Sequence, residues 1–153
     1  EAQMGLRMAS RLNEVVKRLA KHLNNIFSGI SATVALTPIP VSDIYILLII
    51  QSMLVCLIAS LSGRDISLDT GKEFIFSMGG IAGAGYVFRL IAQQASKFLN
   101  AIFIGSGSAV SSGIAYIGTS AIGKAAIAYY IENKTMDEAK KQFEKAKQEH
   151  NKS

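Results

Sequence analysis

The sequence predicts an all-α fold, with four to five helices in a bundle that includes a hydrophobic, Gly/Ala-rich hairpin. Three observations favour this class. Apolar residues near the amino terminus recur with helical spacing, and two long stretches, 44–63 and 98–123, carry no charge. No segment alternates apolar and polar residues as a half-buried strand does. The length of 153 residues is that of one domain.

The first predicted helix covers residues 6–35 and is amphipathic. Its apolar residues fall three or four positions apart along one face: Leu12, Val15, Val16, Leu19, Leu23, Ile26, Phe27, Ile30 and Val34. Arg and Lys side chains occupy the other face, where Glu14 and Arg18 form a favourable i,i+4 pair. Such a helix is typical either of an anionic membrane surface or of a bundle helix with one solvated face. The sequence leaves both interpretations open.

The second predicted helix, 44–61, is a continuous apolar segment. Pro38 and Pro40 separate it from the first helix, because proline lacks an N–H and disfavours helical geometry in the residue before it. The segment has no charged residue, and its length and apolarity predict a membrane-spanning helix, with a core helix of a soluble bundle as the alternative. We therefore expect Ile49 and Leu54 to contact lipid or the protein core.

A third helix is predicted from about residue 72 to 99. Gly79 and Gly83 have the four-residue spacing that lets helices approach closely in a bilayer. We therefore expect residues 74–96 to return across the membrane beside helix 44–61. Lys and Arg cluster at both ends of the chain, which places both ends on the cytoplasmic side of this hairpin.

The third hydrophobic stretch, 101–131, is rich in Gly and Ser. Gly105, Ala109 and Gly113 fall four positions apart on one stripe. Such a surface packs closely against neighbouring helices and is poorly suited to lipid. We expect this stretch to pack on the hairpin.

Two capping signals bound the predicted elements. Gly63 suits the carboxyl-terminal cap of the second helix. Thr135 and Glu138 have the spacing of a capping box, which opens a final charged helix. The predicted organisation is thus one hydrophobic domain over residues 1–132, followed by a charged helix within 133–153.

Nothing in the sequence indicates a catalytic, cofactor-binding or metal-binding residue. Gly118–Lys124 nearly matches the phosphate-binding P-loop, but Ala125 replaces the hydroxyl residue that ligates Mg²⁺. The single cysteine, Cys56, lies in the most apolar segment, where a thiol packs as a small hydrophobic group. His22 and His150 stand in charged stretches, with no nucleophile near them in sequence. We therefore expect this chain not to be an enzyme, and to bind neither nucleotide nor metal.

The net charge of +5 suits an anionic partner, either lipid or nucleic acid. The basic residues are spread over the terminal helices, and aromatic residues do not alternate with them as they do in nucleic-acid-binding segments. Membrane lipid is therefore an expected partner, and nucleic acid is not.

Several motifs follow one another in a distinctive order along the chain. A Pro-x-Pro motif and an acidic residue precede a Gln-bearing hydrophobic helix that ends in Gly, and a T-x-x-[LI]-G-x-A segment is followed by Tyr. The matching residues are Pro38, Pro40, Asp43, Gln51, Gly63, Thr119, Gly123 and Tyr129. This order resembles the hydrophobic C-terminal domain of unknown function in Era-like, YcjF-type bacterial GTPases.

The resemblance implies a non-catalytic, membrane-associated helical domain that targets a GTPase to the membrane and is coupled to it. GTP and Mg²⁺ would belong to a GTPase domain in the same polypeptide, and the start at Glu1 leads us to expect such a preceding segment. Expected partners are membrane lipid, that GTPase domain and a second copy of the chain. The implied location is the bacterial inner membrane, with both ends in the cytoplasm.

Two alternative functions belong to other classes. A colicin-like or holin-like pore former also combines basic amphipathic helices with a Gly/Ala-rich hydrophobic hairpin. A soluble helical interaction module would have the same helical periodicity without any membrane contact.

Overall fold

The computed structural model describes residues 2–34, 42–78 and 107–151. Apart from the connections at 62–67 and 132–135, these ranges are helical and contain no strand, which confirms the predicted all-α class. The helices are α1 (Ala2–Val34), α2 (Ser42–Leu61), α3 (68–78), α4 (Gly107–Ala126), a π-helix (Ile127–Ile131) that continues α4, and α5 (Met136–Asn151).

The centre of the described bundle is α4, which packs against α1, α2 and α5. Its buried face is made of small residues, and Ala121, Ala125 and Ala126 are fully buried. Larger side chains from the surrounding helices, among them Ile58 and Phe143, complete the core. Small residues on the central helix let its neighbours approach closely, which is why one helix can contact three others.

Within the described ranges, no helix combines the length and the apolarity that a membrane crossing requires. The returning arm predicted at 74–96 lies largely outside the described residues, and the crossing predicted at 44–61 is not supported by this finding. Instead, α2 packs against α1, α4 and the π-helix. Leu54 is fully buried there, whereas Ile49 is 46% exposed on the opposite face. The apolar side chains on one face of α2 therefore serve the core of the bundle.

The carboxyl-terminal cap of α2 is the one that the sequence predicts. Gly63 has a φ of 84°, in the left-handed region that glycine adopts without strain. Its N–H donates to the carbonyl of Ser60 at 3.0 Å, and the N–H of Arg64 donates to the carbonyl of Ala59 at 2.9 Å. These are the two hydrogen bonds of a Schellman motif.

The capping box of α5 is also confirmed. The Thr135 N–H donates to Glu138 Oε2 at 2.8 Å, and the Glu138 N–H donates to Thr135 Oγ1 at 3.3 Å. The helix that follows buries Ala139, Phe143 and Ala146 against the core. The charged final helix is thus an amphipathic helix with its apolar stripe packed inward.

Several predicted residues fall outside the described part of the chain. These are Pro38, Pro40, Gly79, Gly83 and Gly105. Asp43 lies in the first turn of α2, and its backbone alone is described.

Candidate functional site

The face of α1 that packs into the bundle is small and polar. It buries Ala20, Asn24, Ser28 and Ser31, spaced four, four and three residues apart. The apolar face that dominates the sequence pattern is a different one. A long helix that buries small polar groups must direct its large apolar side chains elsewhere.

Val16, Leu23 and Phe27, at one edge of that face, are partly buried against the core. The other large side chains are exposed along nearly the whole helix. We call them the apolar stripe of α1: Met4, Met8, Leu12, Val15, Leu19, Ile26 and Ile30. Their exposed fractions run from 75% at Met4 to 43% at Ile30. At about 100° per residue, they fall within roughly a quarter of the helix circumference. An apolar surface of this length is typical of an interaction site.

Arginine side chains run along one edge of this stripe. We call Arg7, Arg11 and Arg18 the basic flank, since all three are exposed and lie next to the apolar stripe at helical spacing. The Glu14 carboxylate accepts a hydrogen bond from Arg18 at 2.6 Å, which confirms the predicted i,i+4 pair. From residue 2 to 15 every side chain is exposed, so the first half of α1 stands clear of the described bundle.

Beneath α1, a set of hydrogen bonds that we call the polar seam joins three helices. Its members are Asn24, Ser28 and Ser31 of α1, Gln51 of α2, and Thr119 and Ser120 of α4. Gln51 donates to the hydroxyl of Thr119 at 3.2 Å, and that hydroxyl donates to Ser31 Oγ at 2.8 Å. The Asn24 side chain donates to the carbonyl of Ser120 at 3.1 Å. No buried side-chain polar atom in the described residues lacks a partner, so the seam is fully satisfied.

Gly123 makes the seam possible. A Cβ at this position would collide with the side-chain amide of Asn24. Glycine is required here because the Asn24 side chain packs directly against the α4 backbone and leaves no room for a Cβ. By contrast, a Cβ on Gly113 would meet no heavy atom within 4 Å, and Gly113 is exposed. Its predicted role as a packing residue stays a prediction.

Tyr129 belongs to an aromatic cluster beside the end of α2. Its ring centroid lies 5.7 Å from that of Phe74 and 4.9 Å from that of Tyr130. The Arg64 guanidinium lies 5.9 Å from the Tyr129 ring and 5.7 Å from the Tyr130 ring. Burial raises the pKa of Tyr130, and Tyr129 adds to that rise, whereas Arg64 opposes it. This cluster is a packing feature that joins α2, α3 and the π-helix.

Two sequence features weighed above for chemistry, the P-loop-like segment and Cys56, lie within helices. Gly118–Lys124 lies inside α4, where backbone N–H groups serve the helix and cannot form a phosphate-binding loop. The Cys56 thiol donates to the carbonyl of Ser67 at 3.4 Å, and its pKa is raised by burial and by the nearby Asp65 carboxylate. A raised pKa leaves little thiolate for nucleophilic attack. No group of three His, Cys, Asp or Glu side chains in the described residues is arranged to hold a metal ion.

Five of the eight family-motif residues have a described capping, packing or hydrogen-bonding position: Gln51, Gly63, Thr119, Gly123 and Tyr129. Gln51, Thr119 and Gly123 meet in or against the polar seam, although 68 residues separate the first two. The inward face of α1 was not predicted. A signal was present in the sequence, because Ala20, Asn24, Ser28 and Ser31 are small residues at helical spacing. The large apolar side chains on the other face form a stronger periodic pattern, which obscured this signal.

A comparison with known protein families gives a match over nearly the whole chain. A family described as a domain of unknown function, DUF697, matches residues 1–152. No curated protein and no solved structure gives a significant match.

Proposed function

The chain belongs to the DUF697 family, a domain of unknown function, and we propose that it is a non-catalytic module that binds an anionic membrane surface. The observation that carries this proposal is the orientation of α1. Its small polar face packs into the bundle, and its apolar stripe, edged by the basic flank, faces outward. This is the pattern of a helix that lies in the interface of a bilayer.

The apolar stripe and the basic flank both contribute to the free energy of binding to an anionic membrane. Burying one large apolar side chain completely is worth about 1.5–3 kcal/mol. The side chains of the stripe are already about half-covered near Ile26 and Ile30, so the amino-terminal members contribute most. Each Arg close to an anionic leaflet adds about 1 kcal/mol, and this contribution weakens with salt. The sum is sufficient for reversible surface binding.

The mode of binding is peripheral. A helix lying in the plane of the membrane buries one face and keeps its charged side in water, so no crossing is needed. We further propose that the module serves a GTPase domain in the same polypeptide and holds it at the cytoplasmic face of the bacterial inner membrane. Its contribution would be targeting and coupling, since GTP and Mg²⁺ would be bound by the other domain.

The test is flotation of the purified chain with lipid vesicles. We expect it to float with vesicles containing about one-third phosphatidylglycerol, to float poorly with pure phosphatidylcholine, and to lose binding as salt rises. The double substitution Met8→Glu/Leu12→Glu places two acids on the stripe and is expected to abolish flotation.

The matched control is Ser10→Glu/Asn13→Glu. These two residues are exposed on the same helix, away from the stripe, and the change in net charge is the same. The control should retain most of the binding. Equal loss in both variants, or flotation of the Met8/Leu12 variant, would show that the stripe is not the membrane contact. If the Met8/Leu12 substitution instead converts a dimer to a monomer, with vesicles playing no part, the stripe is a contact between two copies.

A further inference from the structure

A groove of about 410 Å³ lies between α1, the end of α4 with its π-helix, and α5. Its charged lining consists of five lysines and two glutamates: Lys17, Lys21, Lys124, Lys134, Lys145, Glu132 and Glu149. We call it the lysine groove. Its volume is within the range of about 300–1,000 Å³ that is typical of small-molecule sites. The groove therefore has room for a charged group together with part of the molecule that carries it.

Ion pairs occupy some of these lysines. Glu132 bridges Lys17 and Lys134, with both N–O distances at 2.9 Å. Lys124 pairs with Glu149 at 3.4 Å. Burial tends to raise the pKa of Glu132, but the hydrogen bonds and charges of Lys134 and Lys17 outweigh burial and lower it overall. Glu132 is therefore ionised at neutral pH and holds two of the lysines in place.

Two lysines in the groove have no such partner. Among the described residues, Lys21 of α1 and Lys145 of α5 take part in no ion pair or hydrogen bond. Five positive charges against two negative ones leave the groove strongly cationic. Asn25 and Gln142 also line it and bring side-chain amide donors. The groove thus offers two uncompensated ammonium groups and neutral donors to one ligand.

The π-helix shapes one wall of the groove. Ile127 and Ala128 of the π-helix line it beside Asn24 and Ser120 of the polar seam. A π-helix widens one turn of a helix, and such turns are frequent at functional sites.

We propose that the lysine groove binds a phosphate group carried by a small molecule or by a lipid headgroup, with Lys21 and Lys145 as its charged contacts. A phosphate monoester carries about −1.5 to −2 charges at neutral pH and three acceptor oxygens, which matches two ammonium groups. A single carboxylate can contact two ammonium groups, as Glu132 does, but its one negative charge balances only one of the two positive charges. This site is separate from the apolar stripe and does not rest on the membrane role proposed above.

The first test is an NMR titration of the whole chain with inorganic phosphate and with glycerol 3-phosphate. We expect saturable shifts confined to amides around the groove. Lys21→Ala/Lys145→Ala should weaken binding on the order of ten-fold, because two charge-assisted contacts are lost. Both side chains are exposed, so the variant should fold, and circular dichroism would check that it does.

The matched control is Lys140→Ala/Lys141→Ala, which removes the same number of charges, both from α5, at positions outside the groove lining. It should bind phosphate within about two-fold of the parent. Equal weakening in the two variants would reduce the groove to a general basic surface and overturn the proposal. Failure of the parent chain to bind phosphate or glycerol 3-phosphate in the millimolar range would also overturn it.

A second arm separates the two sources of phosphate. Vesicles of phosphatidic acid and of phosphatidylglycerol are compared at equal surface charge. A loss of the phosphatidic acid preference in the Lys21/Lys145 variant assigns the groove to a lipid headgroup. Unchanged vesicle binding with weakened glycerol 3-phosphate binding assigns it to a soluble ligand. The Met8→Glu/Leu12→Glu variant should keep phosphate binding in either case, which separates failure of this proposal from failure of the membrane proposal.

Discussion

The first and last helices share a sequence pattern and differ in what they do with it. Both are amphipathic, and both combine an apolar stripe with charged residues on other parts of the helix surface. In α5 the stripe faces the core, and Phe143 is only 5% exposed. In α1 the stripe faces outward, and Leu12 is 66% exposed. Apolar periodicity thus predicts a helix reliably but does not predict which face is buried.

The difference arises from the neighbour that each helix meets. Gly123 on α4 leaves space for a polar side chain of α1, and Asn24 fills that space. The small residues of α1 therefore approach α4 more closely than its large apolar residues could. In α5, the large Phe143 side chain fills space beside the alanines of α4. Shape complementarity to α4 decides the inward face in both helices.

Truncating one residue in each stripe should show the largest contrast. We expect Phe143→Ala to lower the free energy of unfolding by about 3–5 kcal/mol, because it opens a cavity in the core. Leu12→Ala should change it by no more than about 0.5 kcal/mol, since the side chain touches little protein. Urea denaturation of both variants measures this. Similar losses of unfolding free energy in the two variants would mean that both stripes are buried. That result would contradict the contrast drawn between α1 and α5.

Two glycines of α4 allow a finer test. Gly123→Ala should destabilise the protein by about 1–3 kcal/mol, because the added methyl group collides with Asn24. Gly113→Ala, at an exposed position of the same helix, should stabilise it by up to about 1 kcal/mol through helix propensity.

A double substitution tests the cause of the Gly123 effect. Adding Asn24→Ala to Gly123→Ala removes the colliding amide, so the combined loss should be smaller than the sum of the two single losses. Strict additivity would mean that the contact between Asn24 and residue 123 is not what positions α1.

The smallest expected effect concerns the ion pairs that hold α1 beside the π-helix. The pKa of Glu132 lies below its ordinary value of 4.5, because Lys134 and Lys17 outweigh the effect of burial. The stabilisation that follows is present above pH 4.5 and is lost as the pH falls through the lowered pKa. Glu132→Gln should therefore lose less stability than the parent between about pH 5 and pH 3, measured by thermal unfolding. If the stability of Glu132→Gln and that of the parent change with pH in the same way, the ion pairs of Glu132 do not stabilise the fold.

Local signals in the sequence predicted local structure well. Gly63 and the Thr135–Glu138 pair act as caps because capping depends on a few residues that are close in sequence. The predicted amino-terminal helix, 6–35, is present as Ala2–Val34. These features need no knowledge of the rest of the fold.

Features that depend on distant neighbours were predicted poorly. The apolarity of 44–61 suggested a membrane crossing, but its Leu54 face packs within the bundle. The bond between Gln51 and Thr119 joins residues 68 positions apart and leaves no periodic signal. The lysine groove also depends on tertiary structure, because Lys21 and Lys145 come from opposite ends of the chain. Composition alone suggested only that an anionic partner would be favoured.

In mechanical terms, α1 is a rod clamped at one end. The polar seam and the Lys17–Glu132 ion pair hold its carboxyl-terminal half. Residues 2–15, all of them exposed, extend from that clamp over about 20 Å at 1.5 Å per residue. A tilt of about 10° at the clamp would therefore move the free tip by about 3–4 Å. Small changes in packing around Gly123 would be amplified at Met4, where a fluorescent label would register them as a change in distance from α5.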